Sequence, residues 1–149
     1  MHCIVTAGPT YEPIDQVRRL TNHSTGLLGT GLAKRLADNG HEVTLLRGRS
    51  ATHTEQPKDV DLQQFTTTAD LAGKLKHLTE VDAVFHAAAV SDFAVGQVFR
   101  RDDDGQLKPL NLGKHSTRDG DMLLELKPTP KIIASLREWF AEALLVGWK

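Results

Sequence analysis

Several things are scarce in this chain, and each scarcity excludes something. Of its 149 residues only one is cysteine, Cys3, so no intramolecular disulfide can form. Its place inside an apolar run is that of a small buried thiol. Neither sign of charge dominates: 18 Lys and Arg stand against 19 Asp and Glu, a formal net charge of −1. That balance removes the global electrostatic case for nucleic acid, and no such partner is expected. No apolar stretch approaches the ~20 residues needed to cross a bilayer, so no membrane partner is expected either. The N-terminus lacks the charged and apolar regions of a secretion signal, and a cytoplasmic location is expected. There are no internal repeats and no low-complexity segments. What remains fits one domain over residues 1–149, and a chain of this length buries roughly 70% of its unfolded surface.

What is present alternates between strand and helix signals. Residues 3–7 form a short β-branched run ended by Gly8-Pro9, which predicts a buried strand. A long polar loop follows, with Arg18, Arg19 and then Asn22-His23-Ser24. Leu28, Leu32, Ala33 and Leu36 keep helical spacing from Thr25 to Asn39, and Asn39-Gly40 supplies the stop. Strands are predicted at 42–46, 63–66 and 81–87, with a helix capped by Thr67-Thr68-Ala69-Asp70 and running to about Leu78. The expected fold is α/β, a Rossmann-like doubly wound and mainly parallel sheet. An irregular β excursion is expected at about 94–127, with hairpin turns at Asp103-Asp104-Gly105 and Arg118-Asp119-Gly120. Met122 to Leu126 alternates like a strand. Pro128-Thr129-Pro130 then opens a helix whose apolar face holds Ile132, Ile133, Leu136, Trp139 and Phe140. Leu144 to Gly147 reads as a last parallel strand. The chain stops two residues later, where such a sheet normally delivers a strand tip to a ligand, so a C-terminal truncation is expected.

Chemistry is expected at the C-terminal ends of these strands. Gly8 ends the first one, and Gly26, Gly29 and Gly31 let a ligand approach a helix N-terminus, where the dipole adds about half a positive charge. The same glycines also let a helix pack closely on a sheet. Asn22 offers a neutral carboxamide that can hydrogen-bond a carbonyl or phosphate oxygen. His23 reads either as an acid–base group or as a prop for the loop. Ser24 and Thr25 serve either phosphate or the helix cap. Ala87, Ala88 and Ala89 make a flat floor on which a base or sugar can lie. Asp92, just beyond them, can hold a ribose hydroxyl or a divalent cation, or can cap a turn.

Three blocks carry a family resemblance: Thr6-Ala7-Gly8-Pro9-Thr10-x-Glu12-Pro13-Ile14-Asp15-x-Val17-Arg18, then Asn22-His23-Ser24-x-Gly26, then Ala87-Ala88-Ala89-Val90-Ser91-Asp92-Phe93. They closely resemble phosphopantothenoylcysteine synthetase. Pro128 to Ile133 and Val146-Gly147-Trp148 are similar to later segments of that family, so the match runs in order to the last residue. The resemblance implies a ligase of coenzyme A biosynthesis that joins 4′-phosphopantothenate to cysteine. It implies CTP or ATP as co-substrate, Mg2+ as cofactor, an acyl-nucleotide intermediate and release of pyrophosphate. Asn22 matches the asparagine acting at that intermediate, and Arg18 an arginine holding an anionic group. Gly8, Ser24, Gly26 and Gly29 would serve phosphates. Ala87, Ala88, Ala89 and Phe93 would receive the nucleotide, and Asp92 would hold ribose or metal. The family dimerises, so a homodimer through residues 94–127 is implied. The resemblance does not extend to the flavin-dependent decarboxylase domain often fused ahead of the synthetase, so no flavin is expected.

Two departures stand out. Leu27 replaces the lysine usual in the second glycine loop. The family's Lys-Ile-Lys-Lys segment falls near Asn111-Leu112-Gly113-Lys114, which leaves Lys108 and Lys114 as the candidate triphosphate lysines. A catalytically weakened nucleotide-binding homologue is therefore one alternative. The other is an NAD(P)-binding oxidoreductase similar to short-chain dehydrogenases, with Arg47 and Arg49 reading a 2′-phosphate. It needs a Tyr-x-x-x-Lys pair, and the only tyrosine, Tyr11, is followed by Asp15.

Overall fold

Strand His2–Ala7 (β1), with all but its first residue buried, is the middle of the sheet around which the chain winds. The structure is a computed structural model and describes residues 1–110 and 120–148. After β1 come the short strands Tyr11–Pro13 (β2) and Arg19–Thr21 (β3), helix Leu27–Asp38 (α1), strands Glu42–Gly48 (β4) and Asp61–Phe65 (β5), and helix Thr68–Lys76 (α2). Then follow strands Ala83–His86 (β6), Phe93–Arg101 (β7), Leu107–Pro109 (β8) and Met122–Pro128 (β9), helix Ile132–Trp139 (α3) and strand Leu144–Gly147 (β10). Among the described residues no helix is long and apolar enough to cross a membrane.

The five-stranded sheet has the order β10-β6-β1-β4-β5, and every pair in it is parallel. Its chain order reverses between β1 and β6, as the doubly wound fold requires. Because alternate side chains leave a strand on opposite faces, β1 feeds two cores. Cys3, Val5 and Ala7 join Ala33 of α1 on one face, while Ile4 joins Leu71 and Leu75 of α2 and Leu136 of α3 on the other. Each of those fully buried leucines contributes roughly 1.5–3 kcal/mol relative to exposure.

Helix boundaries follow the local chemistry. At the start of α2, Thr67 accepts the Asp70 N–H at 3.1 Å, and the Asp70 carboxylate accepts the Thr66 N–H at 2.8 Å. The α1 stripe differs from the one expected. Gly29, Thr30 and Ala33 face the sheet, whereas Leu28 is exposed. α3 buries Ile132, Leu136 and Phe140 as expected and leaves Ile133 exposed.

Two stretches gain strands beyond those expected in detail. The polar loop after β1 contains an antiparallel hairpin in which Tyr11 pairs with Thr21 and Pro13 with Arg19. The described part of the excursion is a three-stranded antiparallel sheet, β8-β7-β9. Its alternation is hidden by a register shift between Val95 and Val98, where the Gln97 N–H bonds the Glu125 carboxylate (2.8 Å) instead of a ladder carbonyl. Asp103-Asp104-Gly105 is the turn between β7 and β8, with Gly105 at φ +79. Of the other expected turn, Arg118 and Asp119 lie outside the described residues.

Candidate functional site

Where the chain order reverses, the loops leaving β1 and β6 continue to bond past the strand ends. The Ala87 N–H donates to the Thr6 carbonyl (3.2 Å), the Ala89 N–H to Gly8 (2.9 Å), and the Thr10 N–H back to Ala89 (3.2 Å). Thr10 is fully buried, and its hydroxyl accepts the Ser91 N–H at 2.8 Å with Thr68 Oγ1 3.3 Å away. The β1 loop, the β6 loop and the start of α2 are thus pinned together. Open parallel sheets bind ligands at this switch point, and here two clefts flank it.

The first cleft, about 330 Å³, lies between the hairpin base, the start of α1 and the loop after β4. Asn22, His23, Ser24 and Thr25 line it together with Ser50 and Thr52. Gly26 caps α1 at φ +82 and Gly8 turns at φ +75, and a Cβ on either would lie within 3.1 Å of the Ala51 methyl. The α1 N-terminus carries no acidic residue in its first turn and no side-chain bond from its cap. Thr25 Oγ1 accepts the Leu27 N–H (3.2 Å), and the first bond within the helix is Thr30 N–H to Gly26. The end of the helix is therefore open to an anion.

The second cleft, about 580 Å³, opens beyond the ends of β6 and β10. Its walls include His86, Ala88, Ala89, Asp92, Lys131 and Trp148. Asp92 Oδ1 is ion-paired with the Lys131 ammonium, and both side chains are largely exposed. His86 is buried, and burial lowers its pKa to about 4, so the ring is neutral near pH 7. Its Nδ1 lies 2.9 Å from Thr6 Oγ1, which also accepts the Ala88 N–H at 3.1 Å.

Asn22 stands between the clefts. Its Nδ2 donates to the carbonyls of Ala89 (3.3 Å) and Val90 (3.2 Å), so its amide hydrogens are held by the β6 loop and its carbonyl oxygen takes part in no described bond. That reverses the polarity expected of an amide donor to an acyl oxygen.

The expected site residues divide accordingly. Asn22, Ser24, Ala88, Ala89 and Asp92 line the clefts. Gly8 and Gly26 shape the first one from below. Gly29 belongs elsewhere: a Cβ there would meet the Ala7 Cβ at 2.6 Å and the Thr6 carbonyl at 2.8 Å, so this glycine lets α1 lie against β1. Ala87 is tied into the sheet beneath the floor. Phe93 begins β7, and its carbonyl accepts the Ser91 hydroxyl at 2.7 Å. Arg18 sits at the hairpin tip, 3.5 Å from Asp15 and 3.4 Å from the Met122 sulfur. That places it beside β9 rather than in the Asn22 cleft. Lys114 lies outside the described residues. Lys108 is taken by Asp102 at 2.9 Å, and this bond holds the Asp102 carboxyl below its usual range.

The metal reading of Asp92 fares poorly as well. Among the described residues no three His, Cys, Asp or Glu side chains gather around one point, and Lys131 already neutralises Asp92. These side chains do not fit a metal held by the protein, which would need several oxygen ligands. Of the two basic residues in the dinucleotide alternative, Arg47 is buried with its guanidinium on the Glu55 carbonyl, and Arg49 is exposed. Sequence reasoning missed His86, Lys131, Thr129 and the Ser50–Thr52 wall. His86 adjoins a recognised block and Thr129 and Lys131 lie within one, whereas nothing in the sequence signalled Ser50–Thr52.

A doubly wound α/β domain with paired clefts at its switch point is the class that the fold and site define. The chain belongs to the DNA/pantothenate metabolism flavoprotein C-terminal domain family, whose model matches residues 1–149. It is 37% identical over 151 residues to the coenzyme A biosynthesis bifunctional protein CoaBC of Bacillus subtilis, covering 99% of this chain and 33% of that one. The CoaBC of Thermococcus kodakarensis is 34% identical, with 98% and 33% covered. The chain thus spans about a third of the length of these curated relatives. Among solved structures, the DNA/pantothenate metabolism flavoprotein from Streptococcus pneumoniae superposes with a TM-score of 0.85 at 32% identity. That superposition covers all of this chain and 69% of the other.

Proposed function

We propose that this domain is a phosphopantothenate–cysteine ligase, the synthetase step of coenzyme A biosynthesis. The observation that supports the reading is the Asn22 bridge to Ala89 and Val90, a carboxamide between an uncapped helix N-terminus and the β6–β10 cleft. The names of the bifunctional relatives supply the pathway. In this reading the nucleotide base and ribose occupy the β6–β10 cleft, with Asp92 at the ribose. The phosphates extend towards Ser24, Gly26 and the first amides of α1.

The substrate carboxylate attacks the α-phosphorus of CTP or ATP, the bond to the β-phosphate oxygen breaks, and pyrophosphate leaves. The cysteine amine then attacks the acyl carbonyl, and the nucleoside monophosphate departs with the bonding pair. The amine proton passes to solvent. Asn22 orients the acyl group through its free carbonyl oxygen, which can accept from the attacking amine. Magnesium would enter on the triphosphate, as is usual for a cation that keeps several waters and binds substrate phosphates. A homodimer through the β8-β7-β9 sheet is part of the proposal, supported by the exposed Phe93, Leu107 and Leu126 on that sheet.

The test is pyrophosphate release by the chain with 4′-phosphopantothenate, cysteine, Mg2+ and either CTP or ATP. Release dependent on both acid and nucleotide is expected. Nucleotide binding without any release would instead identify a weakened homologue.

A further inference from the structure

His86 is a buried titratable group that lines the second cleft and that the ligase chemistry leaves without a task. It lies on β6 opposite Thr6 of β1 and Gly147 of β10, one residue before the alanine floor. Its tautomer is assigned from the hydrogen bonds around Thr6. Thr6 Oγ1 already accepts the Ala88 N–H, and among the described contacts the acceptor for the hydroxyl's own proton is His86 Nδ1. A neutral ring that accepts at Nδ1 carries its proton on Nε2. Nε2 is not fully buried and bonds no described group, and the ring lines the second cleft. The floor there is alanine backbone, Trp148 stands on the wall, and the charged pair Asp92–Lys131 lies at the rim. An uncharged directional donor in such a setting selects for a neutral acceptor on a flat ring.

We infer that His86 is a base-recognition residue, donating from Nε2 to a ring nitrogen or carbonyl oxygen of the nucleobase. The inference rests on the proposed placement of the nucleotide in this cleft. Cytosine offers O2 and N3 as acceptors and adenine offers N1, N3 and N7, so the chemistry is shared and the assay must separate the two. Burial keeps the ring neutral at pH 7, so it recognises the ligand and does not relay a proton. Thr6 is the positioning residue, because its hydroxyl fixes which nitrogen faces the cleft.

The experiment is calorimetric titration of the chain with CTP and with ATP, repeated for His86→Leu and His86→Gln. Glutamine places an amide N–H near the position of the imidazole Nε2, whereas leucine fills the space without a donor. His86→Leu is expected to weaken the preferred nucleotide about tenfold, the loss of one hydrogen bond. His86→Gln should recover most of that loss. In turnover the KM for nucleotide rises in His86→Leu while the KM for cysteine does not. Equal affinity in wild type and His86→Leu overturns the inference. So does an equal loss in both variants accompanied by a lower melting temperature, which would mark His86 as structural. If the folded wild type binds neither nucleotide, the functional reading itself fails, and that outcome is distinct from the other two.

Discussion

Asn22 Nδ2 lies 3.2 Å from the carbonyl oxygen of Val90, a contact that spans 68 positions of sequence. With the companion bond to Ala89, it fastens the end of the β2–β3 hairpin to the loop after β6. The residue is exposed, so water competes for both bonds and they contribute little to stability. Their consequence is geometric: they set which end of the carboxamide faces the ligand.

Asn22→Ala is therefore expected to separate stability from activity. The melting temperature should fall by only a few degrees, because about 1 kcal/mol is at stake. Ligation should fall about 100-fold in kcat, the scale of losing one polar group positioned for the reaction. Asn22→Asp should be less stable than Asn22→Ala, since it sets a carboxylate against two carbonyl oxygens. Thermal melts and initial rates of pyrophosphate release decide the matter. An Asn22→Ala enzyme with wild-type turnover would sink the assignment.

Gly29→Ala tests packing against phosphate binding. The added methyl would press on the Ala7 Cβ and the Thr6 carbonyl, neither of which has a flexible end to move aside. Overpacking of this kind costs about 1–3 kcal/mol, more than the ~1 kcal/mol that alanine returns in helix propensity. Urea denaturation should show a lower midpoint at unchanged slope. Nucleotide affinity per folded molecule should stay as it was, whereas a phosphate contact at Gly29 would show as weakened binding without instability.

Much of the fold was legible because its signals are local. β1, α1, β4, α2 and β10 each combine an apolar period with a nearby stop such as Gly8-Pro9 or Asn39-Gly40. The β2–β3 hairpin was not, because three-residue strands such as Tyr11–Pro13 and Arg19–Thr21 are too short to display a period. β7 was obscured by its register shift between Val95 and Val98. At the site, the glycine spacing could not separate Gly26, which caps a helix, from Gly29, which packs it. The two differ only in what a Cβ would touch. Arg18 and Asn22 are four positions apart and both read as substrate residues, yet the hairpin carries one to its tip and leaves the other at its base.

Thr10→Val is expected to loosen the whole switch point. The Thr10 hydroxyl is fully buried and accepts the Ser91 N–H at 2.8 Å. Valine matches its shape but leaves that donor without a partner, a loss of about 1–3 kcal/mol. Amide hydrogen exchange at Ser91 and a thermal melt should both register the change. Because Ser91 adjoins Asp92, nucleotide KM should rise as well. Full protection of the Ser91 amide in the variant would contradict this account.

Acid should destabilise the fold through His86. Burial lowers its pKa from 6.5 to about 4 in the folded protein, while the unfolded chain titrates near the ordinary value. Between these two values the unfolded state binds more protons, so stability rises with pH. The contribution is complete above about pH 6.5 and is lost progressively as pH falls towards 4, by on the order of 3 kcal/mol in all. Other histidines and carboxylates add their own slopes, so the informative quantity is the difference between wild type and His86→Gln. Across pH 4 to 7 that difference should fall with acidity, as the variant escapes the cost of protonating a buried ring. Parallel stability curves for the two proteins over this range would contradict the lowered pKa of His86 and remove the basis for its neutral state.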